Sequence, residues 1–110
     1  MKRPLKYRNK PTMVEGIRFA SKAEAKRYGE LKLLERAGEI ESLELQPSFP
    51  IEVNGIPICI YVGDFSYWEY EAPLHRIVED TKGYATAEFK LKAKLFEACY
   101  PGHELRVIRA

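Results

Sequence analysis

The apolar positions of the first third of the chain recur with the period of an α-helix. At 100° per residue, one stripe is apolar and consists of Ala20, Ala23, Leu31 and Leu34. The other side is basic and holds Lys22, Lys26, Lys32 and Arg36. Ser21 and Glu24 have the S-x-x-E spacing of a capping box, and Gly38 is a typical residue to follow a helix. We therefore predict a helix from Ser21 to Ala37.

The middle of the chain changes to the period of two that is typical of β-strands. Residues 39–45 alternate, and the segments 49–53 and 56–67 are rich in Ile, Val, Phe and Tyr. Asn54-Gly55 separates those two segments, and Asn-Gly between apolar runs is the strongest short-range signal for a hairpin. Residues 76–82 form a further predicted strand, which Gly83 ends.

A second helix and a closing strand complete the pattern. Residues 86–100 have helical periodicity, and residues 104–109 alternate. The order α-β-β-β-α-β predicts an α/β or α+β fold, in which helices flank a single mixed sheet. Residues 1–12 hold five basic residues, two prolines and no acidic residue, so we expect a basic N-terminal arm, followed by one domain over residues 13–110.

Composition and charge narrow the functional classes. The 110 residues are 45% hydrophobic and 31% charged, which is typical of a soluble globular protein, and no apolar run is long enough to span a membrane. Two cysteines without zinc-site spacing favour a reducing, cytoplasmic environment. Residues 1–38 carry a net charge of +7, residues 39–80 of −8 and residues 81–110 of +3. Basic ends around an acidic middle suggest a chain that binds a polyanion with one part and a metal with another.

The candidate chemistry lies in the acidic middle. Asp64 is expected inside an apolar strand, in the side-chain register of Ile60 and Val62, where a carboxylate is disfavoured. Asp80 and Lys82 stand two residues apart near the end of the next strand and therefore share a face. Carboxylates are hard ligands for Mg²⁺, which activates water, and a lysine stabilises developing negative charge. This arrangement is what metal-dependent phosphodiester cleavage requires.

These residues, in this order of elements, resemble the PD-(D/E)xK nuclease superfamily. The resemblance rests on a hairpin that carries an aspartate, on Asp80-Thr81-Lys82 at a strand end, and on a preceding helix with a glutamate. Gly63 stands where the motif's name has proline. More narrowly, residues 6–94 resemble small phage-encoded proteins related to Holliday-junction resolvases. The segments that carry this narrower match are residues 16–22, 45–47 and 79–83.

The resemblance implies a restriction-endonuclease-like αβββαβ core and a particular set of site residues. It implies a catalytic set of Asp64, Asp80, Lys82 and Glu24, and a metal set of Asp64, Asp80, Glu24 and Thr81. The implied cofactor is Mg²⁺, with Mn²⁺ as a substitute. The residues expected to contact DNA are Lys6, Arg8, Lys10, Arg18, Lys22, Arg27, Gln46, Lys90, Lys92 and Lys94.

Several of these residues also have a purely structural explanation. Glu24 completes the capping box, and Lys82 could be a simple cation at a strand end. Arg27 lies in the apolar arc of its helix, where it binds Glu24, a phosphate or only solvent. Gln46 suits a turn before Pro47. Lys90 and Lys94 of the second helix suit a solvated face, whereas Lys92 falls within its apolar arc. Glu79, which points away from Asp80, is expected to be a surface or outer supporting group.

The remaining polar and aromatic residues offer weaker signals. His75 and His103 are expected in loops. Trp68, Tyr67 and Tyr70 cluster after the predicted Asp64 strand, where they stack on bases, contact a partner subunit or pack at an edge.

The sequence thus predicts a Mg²⁺-dependent endonuclease for branched or recombining phage DNA, located in the host cytoplasm and acting as a homodimer. Two alternatives remain open. One is a DNA-binding module on a nuclease fold that has lost its chemistry. The other is a structural or interaction protein of a phage particle.

Overall fold

The computed structural model describes residues 11–70 and 75–109. In chain order the elements are β1 (Thr12–Val14), β2 (Ile17–Phe19), α1 (Lys22–Arg36), β3 (Ile40–Leu45), β4 (Ser48–Val53), β5 (Ile56–Val62), β6 (Phe65–Glu69), β7 (His75–Lys82), α2 (Ala87–Cys99) and β8 (His103–Arg109). Neither helix is long and apolar enough to cross a membrane, among the residues described.

A four-stranded mixed sheet with the order β3-β6-β7-β8 forms the centre of the fold. β6 pairs antiparallel with both β3 and β7. β7 pairs in parallel with β8, and α2 forms the crossover connection between these two strands. The predicted class, a mixed central sheet with helices, is confirmed. The expected single sheet is corrected, because β1-β2 and β4-β5 form separate two-stranded ribbons.

β7 shows how the two faces of the central sheet are divided. Ile77 packs into the core that lies under α1, together with Tyr28, Leu31 and Phe65. Val78 packs into the core under α2, with Phe96. Because strand side chains alternate, Glu79 then faces α1 and Asp80 faces α2. The end of β7 therefore presents acidic groups to both sides of the sheet.

The segment 56–67 is not one strand, and this corrects the prediction. β5 ends at Val62 and belongs to the ribbon, whereas β6 starts at Phe65 and belongs to the central sheet. Gly63 makes the transition, since its N–H donates to Pro47 O at 3.1 Å. A Cβ at Gly63 would lie 2.8 Å from Val78 Cγ1 and 3.3 Å from Glu79 O. The chain can change sheets here only because this residue has no side chain.

The N-terminal end of the domain holds a hairpin that the sequence pattern did not predict. β1 and β2 pair around Glu15 and Gly16, whose φ values are 52° and 79°. Thr12, expected in the basic arm, lies in β1, and residues 1–10 of that arm lie outside the described residues.

Both predicted helices are confirmed, with one change in the buried face of α1. Its buried residues are Ala25, Tyr28 and Leu31, whereas Ala20 is exposed before the helix begins. Ser21 caps α1 by accepting a hydrogen bond from Glu24 N at 3.1 Å, and Gly38 follows the helix with a φ of 80°. Thr86 caps α2 in the same way, through Phe89 N.

Candidate active site

Asp64 lies in the short connection between β5 and β6, not inside a strand as expected. β7 holds it at two points. Its backbone N–H donates to Glu79 O at 2.8 Å, and its carboxylate Oδ2 accepts from Thr81 N at 2.6 Å. These two bonds flank Asp80 along β7 and so fix the position of Asp64 beside it.

Glu24 brings α1 to the same place. Its Oε1 accepts from Ala20 N at 3.1 Å, directly before the N-cap residue Ser21, and its side chain lines the same cleft as Asp64. The capping and site interpretations of Glu24 are therefore compatible in one side chain. Burial, followed by the hydrogen bond and charge of Glu24, raises the pKa of Asp64 to about 7, although Thr81 N–H and Lys82 oppose this shift.

Asp80 and Lys82 share a face of β7, as the spacing predicts. Asp80 is 3% exposed, and its two oxygens have different partners. Oδ2 accepts from the Tyr61 hydroxyl at 2.5 Å, and Oδ1 lies 3.3 Å from Lys82 Nζ. Burial raises the pKa of Asp80, the Tyr61 hydrogen bond lowers it, and the negative charge of Asp64 raises it again. The two aspartates therefore sense each other electrostatically.

Lys82 pairs with Asp80 but is also partly open to solvent. Its side chain is one-third exposed, and its Nζ lies 4.6 Å from the centre of the Phe89 ring on α2. The apolar ring restricts the ammonium group without neutralising it.

Glu79 is buried, which corrects the expectation of a surface position. The Arg27 guanidinium binds it twice, through Nε at 2.8 Å and Nη2 at 2.6 Å, and the Tyr67 hydroxyl donates to it at 2.5 Å. The hydrogen bonds from Arg27 to Glu79 raise the pKa of Arg27. Burial of the Tyr67 hydroxyl, together with its hydrogen bond to Glu79, raises the pKa of Tyr67. This Arg27–Glu79–Tyr67 cluster connects α1 to β7 and β6 directly behind the site. An acidic residue next to Asp80 was visible in the sequence, but its buried partner was not.

Two clefts open beside these residues, one on each side of the sheet. The α1-side cleft has a volume of about 170 Å³, and the α2-side cleft of about 290 Å³. Residues that line the α1-side cleft include Glu24, Asp64, Arg18 and Gln46. Those that line the α2-side cleft include Tyr61, Asp80, Lys82, Glu88 and Lys92. The four predicted catalytic residues are thus divided between the two clefts: Glu24 and Asp64 line the α1-side cleft, and Asp80 and Lys82 line the α2-side cleft.

The structure brings some of the predicted DNA-contact residues to these clefts. Gln46 N donates to Asp64 O at 2.9 Å, so Gln46 is anchored beside the site. Lys90 lines a further cleft of about 410 Å³, together with Lys82, Tyr84 and Arg109. Tyr84 and Arg109 were not among the sequence candidates, although Tyr84 is 81% exposed.

Other predicted contact residues have different surroundings. Arg27 is engaged by Glu79 and by Glu30, and Lys92 pairs with Glu88 at 3.4 Å. Lys22 and Lys94 are exposed. Lys6, Arg8 and Lys10 lie outside the described residues.

The histidines and one aromatic residue depart from their expected positions. His75 begins β7 and lies 3.0 Å from Glu104, and His103 begins β8 and packs against Phe49 and Phe96, so neither is in a loop. Tyr67 is buried in β6 and cannot stack on bases or on a partner, whereas Tyr70 is exposed.

The donor chemistry of the site fits a hard divalent cation. Glu24, Asp64 and Asp80 supply carboxylates whose mutual repulsion such a cation would relieve. Among the described residues, the buried Thr81 Oγ1 has no hydrogen-bond partner. In residues 11–70 and 75–109, however, no three His, Cys, Asp or Glu side chains are arranged as a ready metal site. The residues offer oxygen ligands of the right chemical type, but the described carboxylates are not close enough together to form a complete metal site.

Comparison with known families gives a match over nearly the whole chain. The model of a family described as "Protein of unknown function (DUF1064)" covers residues 4–110. The chain belongs to the DUF1064 family. No curated protein and no solved structure matches it. The DUF1064 match extends over the whole site and into the basic N-terminal segment.

The raised pKa of Asp64 predicts a pH-dependent stability of this DUF1064 chain. Folded Asp64 keeps its proton up to about pH 7, whereas an unfolded aspartate loses it near pH 4. The stabilisation is therefore complete below about pH 4 and is lost as the pH rises through about 7. We expect Asp64→Asn to gain about 1–2 kcal/mol relative to wild type between about pH 5 and about pH 8.

Urea unfolding in metal-free buffer at several pH values measures this difference. Glu97→Gln, which removes an exposed carboxylate of α2, is the matched control and should show no comparable trend. A difference between Asp64→Asn and wild type that stays constant with pH would contradict the assigned environment.

Proposed function

We propose that this chain is a Mg²⁺-dependent endonuclease of the PD-(D/E)xK type that cuts branched DNA. The observation that carries the proposal is the clustering of Asp64, Asp80 and Lys82 at the end of β7. Lys82 Nζ lies 3.3 Å from Asp80, and the Asp64 carboxylate is bound to the N–H of Thr81 between them in sequence. Clustered buried carboxylates with raised pKa values are costly to fold and are typical of functional sites.

The proposal gives each group a role. Asp64 and Asp80 would hold the metal, with Glu24 and Thr81 as further oxygen donors. A bound Mg²⁺ would polarise the scissile phosphate and favour ionisation of water. Lys82, restricted by Phe89, would stabilise the negative charge that develops on the phosphate. Tyr61 holds Asp80 in place through its hydrogen bond.

The charge around the clefts supports a polyanionic substrate. Arg18 lines the α1-side cleft, and Lys82, Lys90 and Arg109 line the cleft beside Tyr84. Cations on both sides of the acidic cluster could follow a phosphate backbone across the site. The choice of branched DNA as the proposed substrate rests on the sequence resemblance to Holliday-junction resolvases.

Synthetic junction, flap and linear DNA incubated with Mg²⁺ or Mn²⁺ test the proposal, together with titration of Mn²⁺ by calorimetry. We expect saturable Mn²⁺ binding that Asp64→Asn weakens, and cleavage of the branched substrates first. Intact DNA in every reaction, together with no Mn²⁺ binding, would contradict the proposal.

One observation favours a second candidate, a DNA-binding module without cleavage. Both oxygens of Asp80 already have partners in Tyr61 and Lys82, so a metal would have to compete with them. This candidate predicts salt-sensitive DNA binding that is the same with Mn²⁺ and with EDTA.

A further inference from the structure

Four aliphatic side chains stand exposed in a row on β5. Ile56 is 61% exposed, Ile58 52%, Ile60 57% and Val62 50%. They occupy alternate positions, and the intervening Cys59 and Tyr61 pack towards the core under α2. A sheet that faces water on one side normally alternates apolar and polar residues. β5 is apolar on both faces, which is the pattern of a strand covered on both sides.

We propose that this exposed face of β5 is the surface through which two copies of the chain associate about a two-fold axis. A two-fold contact places the same row on both sides. The row carries no charge, so it can meet itself without repulsion between like charges. Burial of four half-exposed aliphatic side chains on each copy supplies several hundred Å² of apolar contact, a large part of the roughly 800 Å² per partner in a standard interface.

The ribbon itself indicates how the copies would meet. Within the described residues β5 pairs only with β4, and the ribbon is held to the domain by its packing under α2. β4 carries Pro50 and Glu52, residue types that discourage another chain from adding to an edge. Pro57 lacks an N–H and limits strand addition along β5 as well. The contact therefore uses the side-chain faces rather than new backbone pairing.

The basic N-terminal residues 1–10 are the other candidate within this chain as a partner for the aliphatic row, and their composition suits it poorly. Residues 1–10 include five Lys or Arg residues and no acidic residue, which makes them a partner for an anion rather than for an aliphatic surface. A second copy offers what those residues do not, an uncharged row of the same length.

The position of the row bears on the candidate active site. Ile60 and Val62 also line the α2-side cleft that contains Asp80 and Lys82. Association through β5 would therefore bring two such clefts close to the same axis. The dimer itself does not depend on nuclease activity, but its value for cutting two strands of a branch rests on the proposed function.

Sedimentation equilibrium of the full chain, without DNA or metal, tests the proposal. We expect a species of twice the 12.7 kDa chain mass. Ile60→Lys should raise the dimer dissociation constant about 100-fold, because it buries a charge at the axis. Ile60→Thr keeps the branched β-carbon and should raise it about tenfold. Leu33→Lys, at an equally exposed aliphatic position on α1, is the matched control and should leave the constant unchanged.

Circular dichroism of each variant separates lost association from lost folding. A wild-type chain that stays monomeric at its highest soluble concentration would overturn the proposal. The exposed aliphatic row of β5 would then be a surface for a different protein. A folded Ile60→Lys chain that associates as tightly as wild type would also overturn it. If the chain is a dimer but cuts no DNA, only the nuclease proposal is contradicted. If the chain is a monomer but cuts DNA, only the proposal of association through β5 is contradicted.

Discussion

Replacement of Asp80 with asparagine is expected to lower metal-dependent DNA cleavage by at least about 100-fold while the fold is retained. Asparagine keeps the shape of the side chain and can still accept the hydrogen bond from Tyr61. It removes a charge that is only 3% exposed and that lies beside the charge of Asp64. The variant should therefore be as stable as wild type or slightly more stable, as is common when a functional carboxylate is neutralised.

Single-turnover cleavage rates, measured beside thermal unfolding, check this prediction. Glu88→Gln is the matched control, because Glu88 lines the same α2-side cleft but is 77% exposed and pairs only with Lys92 among the described residues. Its rate should stay within about twofold of wild type. Equal losses in the two variants would show that cleft charge, rather than Asp80 itself, matters.

Removal of either member of the buried Arg27–Glu79 pair is expected to cost about 3–5 kcal/mol of stability. Glu79 is fully buried, and three hydrogen bonds from Arg27 and Tyr67 satisfy it. Arg27→Met leaves this carboxylate without its cation in an apolar setting. Glu79→Leu leaves the Tyr67 hydroxyl without its acceptor and takes from the guanidinium its buried partner, so that Arg27 keeps only the exposed Glu30 among the described residues.

The double variant Arg27→Met/Glu79→Leu distinguishes a mutual ion pair from two independent contacts. It should recover the part of the loss that comes from the unpaired charges, since an apolar pair of similar volume avoids both of their desolvation costs. The buried Tyr67 hydroxyl still lacks its acceptor, so its share of the loss should remain. Lys32→Met breaks the surface pair with Glu35 and should change the free energy of unfolding by less than about 1 kcal/mol. Additive losses in the double variant, measured by urea unfolding, would contradict the coupling.

The parts of the fold that follow a simple period were predictable from the sequence. Both helices have apolar stripes and capping residues at Ser21 and Thr86, and the structure begins each helix directly after its cap. The shared face of Asp80 and Lys82 follows from strand alternation alone and is seen as a 3.3 Å ion pair.

The parts that depend on distant contacts were not predictable. Residues 56–67 read as one apolar strand because local pattern contains no information on which sheet a residue joins. The separation at Gly63 depends on Val78 and Pro47, which are close to it only in the folded chain. The burial of Glu79 similarly depends on Arg27, 52 positions earlier in the sequence. A charged residue in a strand is assigned to the surface unless its partner is known.

Gly63 has a consequence for how sequences related to this one should be compared. No side chain fits at this position without displacing buried Val78, and proline would in addition remove the N–H that Pro47 O accepts. Selection for folding alone would therefore keep glycine directly before Asp64. In an alignment of relatives with the same packing, that glycine would look as invariant as a catalytic residue. Its invariance would record a lack of space between two sheets and would say nothing about chemistry at the aspartate beside it.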